Sequence, residues 1–211
     1  MSQALVVTKA DFIGSGFSVE GDQIIQDKGE LFDLTAHLEE RSECETDESL
    51  LQVIPYITLR DPETDRIFVY TRGKQNGDAR LTGKCSIGLG GHVELEPNGT
   101  FDFLDIMAME AARELIEETN LTEQNDLERV TEVIGEILAH ADYKLLYTDI
   151  DAVSRVHLGI AFEYLIDSTK LTGDEENIIT DVNWLTKDEI REMDQNGTIE
   201  LEHWSRMVLG L

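Results

Sequence analysis

Three glutamates recur at helical spacing in one short segment of the chain. Glu114, Glu117 and Glu118 occupy positions i, i+3 and i+4, so a single helix would bring their carboxylates within a few ångströms of one another. Like charges at this spacing destabilise a helix unless something offsets their repulsion. A hard divalent cation, Mg²⁺ or Mn²⁺, takes oxygen ligands and is usually shared between carboxylates and substrate phosphates. The cluster is therefore a candidate metal site for chemistry on a phosphorylated substrate.

A solvated acidic face is the alternative interpretation of the same glutamates. The chain has 44 acidic residues, and runs of charge usually face solvent. Arg113, which directly precedes Glu114, can pair with one carboxylate and fix its rotamer. The surrounding sequence decides between the two interpretations.

The surrounding sequence resembles the Nudix box, whose pattern is Gx5Ex7REUxEExGU with U an aliphatic residue. Residues 90–94, GGHVE, stand before the helix, and residues 113–118, RELIEE, match the core REUxEE in full. Leu121 stands at the closing aliphatic position. A weaker resemblance extends from about Leu51 to Leu209 and includes residues 156–159, VHLG, which are similar to a strand of one Nudix branch. On this resemblance the acidic cluster is interpreted as functional.

The box departs from the pattern at two places. Asp105 stands where the pattern has a glutamate, and the segment between Glu94 and Asp105 is longer than the pattern by about eight residues. Asn120 replaces the last glycine, a mild change because Asn tolerates a left-handed helix-terminating conformation. The insertion 95–104 is expected at the mouth of the site, where extra loops usually alter substrate choice more than metal binding.

The resemblance implies an α/β protein with a mixed sheet, the Nudix αβα sandwich. It implies a hydrolase that uses Mg²⁺ or Mn²⁺ to cleave a diphosphate linkage in a nucleoside diphosphate joined to another group. Four residues are implied as metal ligands, the last through its backbone carbonyl: Glu114, Glu117, Glu118 and Gly90. Arg113 would hold the carboxylates in register, and Glu114 or Glu117 would act as the base. A later loop often adds an acidic ligand in this family, for which Glu175 and Glu176 are the candidates.

Basic residues are scarce in this chain but cluster between positions 72 and 84. Four of them are candidate contacts for substrate phosphates, with a solvent-exposed cation as the alternative for each: Arg72, Lys74, Arg80 and Lys84. His92, inside the motif, is a further substrate-contact candidate, with packing or a hydrogen bond as its alternative role. Three residues on apolar patterns are predicted to belong to the core: His157, Trp184 and Trp204.

The charge of the chain restricts its partners. A formal net charge of −27, from 44 acidic and 17 basic residues, would repel a nucleic-acid backbone, so we expect no duplex nucleic acid as a partner. The same charge opposes an anionic metabolite, and an acidic protein that acts on phosphates therefore needs cations at its site. A small phosphorylated substrate with Mg²⁺ or Mn²⁺ meets this requirement.

Residues 1–211 are expected to form one domain, with 1–50 as an N-terminal extension packed on it. We expect a cytoplasmic protein, because no stretch is long and apolar enough for the membrane and the N-terminus lacks an export signal. Cys44 and Cys85 lack the number for a disulfide framework and the spacing for zinc, which favours two reduced thiols. Dimerisation is common among Nudix proteins, and a homodimer is compatible with the sequence.

The elements that must position these residues follow a mixed α/β order without an internal repeat. The pattern predicts a β-hairpin from Leu51–Leu59 and Arg66–Thr71, and its most regular helix at Leu104–Glu118. The remaining predicted elements are short strands and turns in 1–35, helices at 35–42, 187–193 and 201–209, and strands at 130–138, 156–165 and 182–185.

Two other functions compete with hydrolysis on this fold. An isoprenoid diphosphate isomerase uses a metal without breaking a P–O bond, but a complete REUxEE goes with diphosphate cleavage. A ligand-sensing Nudix module of a regulator normally carries a DNA-binding domain and often a degraded box. Both stay as alternatives, although the box carboxylates are present and no basic helix-turn-helix segment is left over, which favours the hydrolase.

Overall fold

A computed structural model gives the arrangement of most of the chain. It describes residues 2–26, 34–73, 81–93, 95, 102–119, 121, 127–139, 143–171 and 179–211, without the side chains of residues 26 and 179. Every helix within these ranges is too short or too polar to cross a membrane.

Ten strands of the described residues form one sheet. In chain order they are β1 (Gln3–Thr8), β2 (Gln23–Gln26), β3 (Ala36–Glu40), β4 (Leu50–Arg60), β5 (Ile67–Arg72), β6 (Cys85–Ser86), β7 (Gly88–Leu89), β8 (Lys144–Tyr147), β9 (His157–Leu165) and β10 (Ile179–Leu185). The main path runs β10-β5-β4-β9-β8-β2, while β1 and β7 pair with β4, β3 pairs with β1, and β6 pairs with β5. The central strands β4 and β9 are parallel, and the strands that flank them run antiparallel, so the sheet is mixed.

Helices cover both faces of this sheet. They are α1 (Lys9–Gly14), α2 (Arg41–Cys44), α3 (Phe103–Glu118), α4 (Leu127–Ala139), α5 (Lys187–Gln195) and α6 (His203–Leu209). Successive residues of a strand point to opposite faces, so β4 contributes Val53 and Ile57 to the core beneath α3 and α4, and Tyr56 to the core beneath α5 and α6. The αβα sandwich and the α/β fold class are therefore confirmed.

Most of the predicted elements are confirmed. The hairpin is formed by β4 and β5, and the predicted regular helix is α3, whose apolar side Met107, Ala108, Ala111 and Leu115 is fully buried. A capping box explains where α3 begins, since Asp102 accepts from the Asp105 amide and Asp105 accepts from the Asp102 amide. β9, β10, α5 and α6 lie where strands and helices are predicted.

Two predicted elements are wrong. The predicted helix 35–42 is mostly strand β3, because Ala36–Glu40 pairs antiparallel with β1, and a helix begins only at Arg41. The predicted strand 130–138 is helix α4, in which Val133 and Ile137 are buried one helical turn apart. Strand β8 and helix α1 were not predicted. β1 and β2, within the predicted N-terminal extension, pair with β4 and β8 in the main sheet.

Candidate active site

A cavity of about 900 Å³ opens beside the C-terminal half of α3. Three carboxylates of α3 line it: Glu110, Glu114 and Glu118. The basic residues that line it are Arg41, Arg72, Lys84 and Arg113. The cavity therefore contains both acidic side chains, which can bind a metal ion, and basic side chains, which can bind a phosphate.

The glycines after β7 allow the chain to pass very close to its neighbours. A Cβ at Gly91 would lie 2.2 Å from Glu114 Oε1, and a Cβ at Gly90 would lie 2.1 Å from the carbonyl oxygen of Pro55. Only glycine permits such approaches. The Glu114 carboxylate is thus placed directly against the backbone of residue 91.

Arg113 binds three carboxylates of its own helix. Its Nε lies 2.8 Å from Glu110 Oε2, its Nη2 lies 2.5 Å from Glu114 Oε1, and its Nη1 lies 2.6 Å from Glu117 Oε2. Charge-assisted hydrogen bonds of this kind fix the rotamers of the glutamates. Glu117 is 40% exposed and does not line the cavity, whereas Glu114 and Glu118 are buried and do.

Glu118 is a buried carboxylate with an oxygen that lacks a donor. It is 6% exposed, and its Oε2 has no hydrogen-bond partner among the described residues. Burial, reinforced by the charge of Glu114, raises the pKa of Glu118 to about 8, although Arg72 acts in the opposite direction. Burial also raises the pKa of Glu114, against the effect of Arg113. When both are ionised, the two carboxylates repel each other.

These residues fit a divalent cation. Within the described ranges, no three acidic, histidine or cysteine side chains are already grouped as a metal site. Instead, Arg113 pairs with one oxygen each of Glu110, Glu114 and Glu117. The Glu118 oxygen has no such partner, and carboxylate oxygens are what Mg²⁺ and Mn²⁺ prefer. Burial and the charge of Glu114 raise the pKa of Glu118, and a cation there would offset both effects.

Arg72 faces this acidic end of the cavity from β5. Its Nε donates to Glu202 Oε2 at 2.8 Å, and Glu202 Oε1 accepts from Tyr56 Oη at 2.9 Å and from Ser86 Oγ at 2.5 Å. Burial alone would lower the pKa of Arg72, but the Glu202 carboxylate raises it well above its ordinary value. Arg72 therefore stays charged while buried.

Two histidines lie together on another wall of the cavity. The rings of His92 and His157 are 5.7 Å apart, and His157 Nδ1 is 2.7 Å from the Val153 carbonyl oxygen. Burial, with the charge of Arg41, lowers the pKa of His92 to about 3, so this imidazole is neutral at physiological pH. The Nε2 atom of His92 is buried and has no hydrogen-bond partner within the described chain.

Known proteins resemble this chain over nearly its whole length. No family model matches it. Protein YmaB of Bacillus subtilis (strain 168) is 24% identical over 217 residues, which cover 100% of this chain and 98% of YmaB. The crystal structure of Tm1382, a candidate Nudix hydrolase, has a TM-score of 0.65 at 23% identity and covers 99% of this chain and 97% of its own. DR0079 from Deinococcus radiodurans has a TM-score of 0.50 at 17% identity, covering 88% of this chain and 97% of its own.

The chain has the Nudix fold. Within it, the structure brings most of the predicted site residues to one cavity: Gly90, Arg113, Glu114, Glu118, Arg72, Lys84 and His92. Lys84 Nζ also lies 3.4 Å from Glu200 Oε1. Glu117 is held on the outer side by Arg113, and Asp105 caps the far end of α3.

Several predicted residues of the Nudix box and its surroundings lie outside the described residues. These are Lys74, Arg80, Glu94, Asn120, Glu175, Glu176 and most of the insertion 95–104. Their roles remain predictions.

The Nudix cavity also includes residues that the sequence did not single out. Arg41 is the first residue of α2, and Glu202 and His203 come from the start of α6. Trp204, predicted as a core residue, is half-buried and lines the cavity. In the sequence, only the consecutive residues Glu202, His203 and Trp204 at the start of the predicted helix 201–209 indicate this wall of the cavity.

Proposed function

We propose that the chain is a metal-dependent hydrolase that cleaves the diphosphate linkage of a nucleoside diphosphate joined to another group. The Nudix fold supports a hydrolase of this general type. The complete RELIEE core and the cavity beside it support the metal and the diphosphate as the finer assignment.

The observation that carries the proposal is the Glu118 carboxylate. A buried acidic oxygen without a donor is costly, and proteins keep such groups where they hold an ion or act chemically. Glu118 shares its cavity with Glu114, so the two provide oxygen ligands that face the same space. Mg²⁺ or Mn²⁺ is the cofactor that this donor set suits.

The charge of the cavity requires such an ion for a phosphorylated substrate. Glu110, Glu114 and Glu118 present like charges to a diphosphate, and the whole chain carries a net charge of −27. Arg72 and Arg113 are each paired with carboxylates, so they offset only part of this potential.

The residues of the chain would divide the work of hydrolysis. When bound, Mg²⁺ or Mn²⁺ neutralises diphosphate oxygens and makes an attacking water more acidic. Glu114 and Glu118 would hold the ion, while Arg113 keeps the Glu114 carboxylate at one rotamer. Of the two predicted bases, Glu114 lines the cavity, and it accepts the proton of the water as the water oxygen attacks phosphorus and the bridging P–O bond breaks. Two phosphorylated products form, one of them a nucleoside monophosphate.

A substrate panel with a matched pair of variants tests the proposal. The panel includes nucleotide sugars, dinucleoside polyphosphates, NADH, ADP-ribose, nucleoside triphosphates and isopentenyl diphosphate, each with and without Mg²⁺ or Mn²⁺. Glu118→Gln should lower metal-dependent cleavage more than about a hundredfold, because an amide is a far weaker ligand. Glu192→Gln, the same change at an exposed position of α5, should leave the rate unchanged.

Each other outcome points to a different function. Conversion of isopentenyl diphosphate into an isomer without release of phosphate would identify an isomerase. Tight binding of one compound with no turnover would identify a sensor. Equal rates for Glu118→Gln and Glu192→Gln would contradict the assignment of the metal site.

A further inference from the structure

One edge of the Trp204 ring packs against the sheet. A Cβ at Gly159 would lie 3.1 Å from both Cη2 and Cζ3 of Trp204, so the six-membered ring rests on the glycine of β9. Tyr56 packs against the indole at a right angle, with centroids 5.7 Å apart and an interplanar angle of 90°. These contacts fix the ring, yet Trp204 remains half-buried and lines the cavity. The indole is thus a fixed part of the cavity wall.

The indole and the acidic cluster lie at separate ends of the cavity. Glu118 is near enough to Arg72 of β5 for their charges to interact. The Trp204 ring instead lies over Gly159 of β9, next to Leu146 of β8. Strands β5 and β9 are on either side of β4, so their backbones are two strand spacings apart, about 10 Å. One molecule of nucleotide size could reach both.

The two ends also differ in charge. The arginine and lysine residues that line the cavity come from α2, α3, β5 and the turn before β6, whereas β9 and α6 contribute histidines, and Arg72 reaches Glu202 at the start of α6. Beside the indole lies His203, whose Nε2 is 2.8 Å from Asp22 Oδ1. A flat apolar surface with a polar group at its margin suits an uncharged ring that carries hydrogen-bonding groups on its edge.

We propose that Trp204 is a specificity-determining residue that stacks on a planar heteroaromatic ring of the substrate. This inference rests on the proposed function, which places the diphosphate of the same molecule near Glu114 and Glu118. Stacking on an aromatic side chain does not require one particular nucleobase, because every nucleobase has a π face. The residue therefore selects for the presence of a ring rather than for one base.

Fluorescence offers a direct test, because the chain contains only two tryptophans. Trp184 packs against Phe68 in the core beneath α3 and α4, with ring centroids 5.5 Å apart. The variant Trp184→Phe therefore leaves Trp204 as the only tryptophan whose fluorescence is measured. AMP and UMP should quench this variant with saturation, and ribose 5-phosphate should not. Trp204→Phe, which retains Trp184, controls for absorption by the nucleotides and should show no saturable change.

Kinetics then test the selectivity. Trp204→Leu should raise KM for a nucleotide sugar roughly ten- to a hundredfold while kcat stays within about twofold, since stacking is made equally in ground and transition states. KM for isopentenyl diphosphate or inorganic pyrophosphate should not change if either is cleaved. Trp204→Phe should restore most of the affinity, and thermal denaturation checks that both variants are folded.

The outcomes separate this inference from the proposed function. If Trp204→Leu affects substrates with and without a ring equally, the inference is wrong and the hydrolase assignment stands. If nucleotides quench Trp204 but nothing is hydrolysed, the inference holds and the hydrolase assignment fails. No saturable quenching by either nucleotide would overturn the inference by itself.

Discussion

Arg72 and Glu202 form a buried ion pair that links β5 to the start of α6. Their side chains are 13% and 5% exposed, and Arg72 Nε lies 2.8 Å from Glu202 Oε2. Glu202 is the N-cap residue of α6, the helix that carries Trp204. The pair therefore fixes the position of the indole wall relative to the acidic end of the cavity.

Removing the charge of Glu202 should destabilise the fold. Glu202→Gln leaves the Arg72 guanidinium buried without its counter-ion, and we expect a loss of about 3 kcal/mol in the free energy of unfolding. Glu200→Gln is the matched control, because Glu200 is 71% exposed and 3.4 Å from Lys84. We expect Glu200→Gln to lower the free energy of unfolding, measured by urea denaturation, by less than about 1 kcal/mol. Similar losses for the two variants would show that the buried pair contributes no special stability.

A side chain at position 91 should disturb the metal site more than the fold. The Cβ of Gly91→Ala would meet Glu114 Oε1 at 2.2 Å, which forces the carboxylate away from its place. We expect Mg²⁺-dependent activity to fall more than tenfold, because misplaced ligands cost about that much.

Gly135→Ala serves as the control for Gly91→Ala. Gly135 is an exposed position inside α4, and a Cβ there meets no atom within 4 Å. Activity should not change, and stability should rise by about 0.5–1 kcal/mol. Full activity in Gly91→Ala would mean that the contact between residue 91 and Glu114 is irrelevant to function.

The stability of the metal-free protein should fall as the pH rises. The pKa of Glu118 is about 8 in the folded chain against an ordinary value of 4.5, so its contribution is fully present below 4.5 and is lost as the pH rises through 8. His92, with its pKa lowered from 6.5 to about 3, acts in the opposite direction, but only below 6.5. The decline should therefore be seen between pH 6.5 and 8 in thermal denaturation with EDTA.

Two comparisons make this pH prediction specific. Glu118→Gln cannot ionise and should lack most of the decline. Mg²⁺ binds the ionised carboxylate, so it should stabilise the natural chain more at pH 8 than at pH 6.5. A decline of equal size in Glu118→Gln would assign it to other groups.

The sequence predicts the elements whose pattern is local. α3 is predicted almost to the residue, because its apolar face repeats at helical spacing. Strand β3 is not predicted, because Ala36–Glu40 becomes a strand only by pairing with β1, which is distant in the sequence. α4 is missed although Val130, Val133 and Ile137 repeat at helical spacing, because its many β-branched residues favour a strand.

The same distinction applies to the candidate site. Glu114 and Glu118 belong to a motif with fixed spacing, so their proximity follows from the sequence. Arg41 and Trp204 reach the cavity through long-range packing of α2 and α6, which no local pattern encodes. The state of Glu118 depends on burial, and burial is likewise a property of the folded chain.

Hydrolysis in water enriched with ¹⁸O tests the central claim most directly. The reaction is run with Mg²⁺ on the best compound of the panel, and the products are weighed by mass spectrometry. A hydrolase must transfer one water oxygen to phosphorus, so one of the two phosphorylated products should gain a single ¹⁸O at the rate of turnover. Glu118→Gln should form little labelled product and Glu192→Gln should match the natural chain. Products without label, or label that forms as fast in Glu118→Gln, would contradict the proposed metal-dependent cleavage.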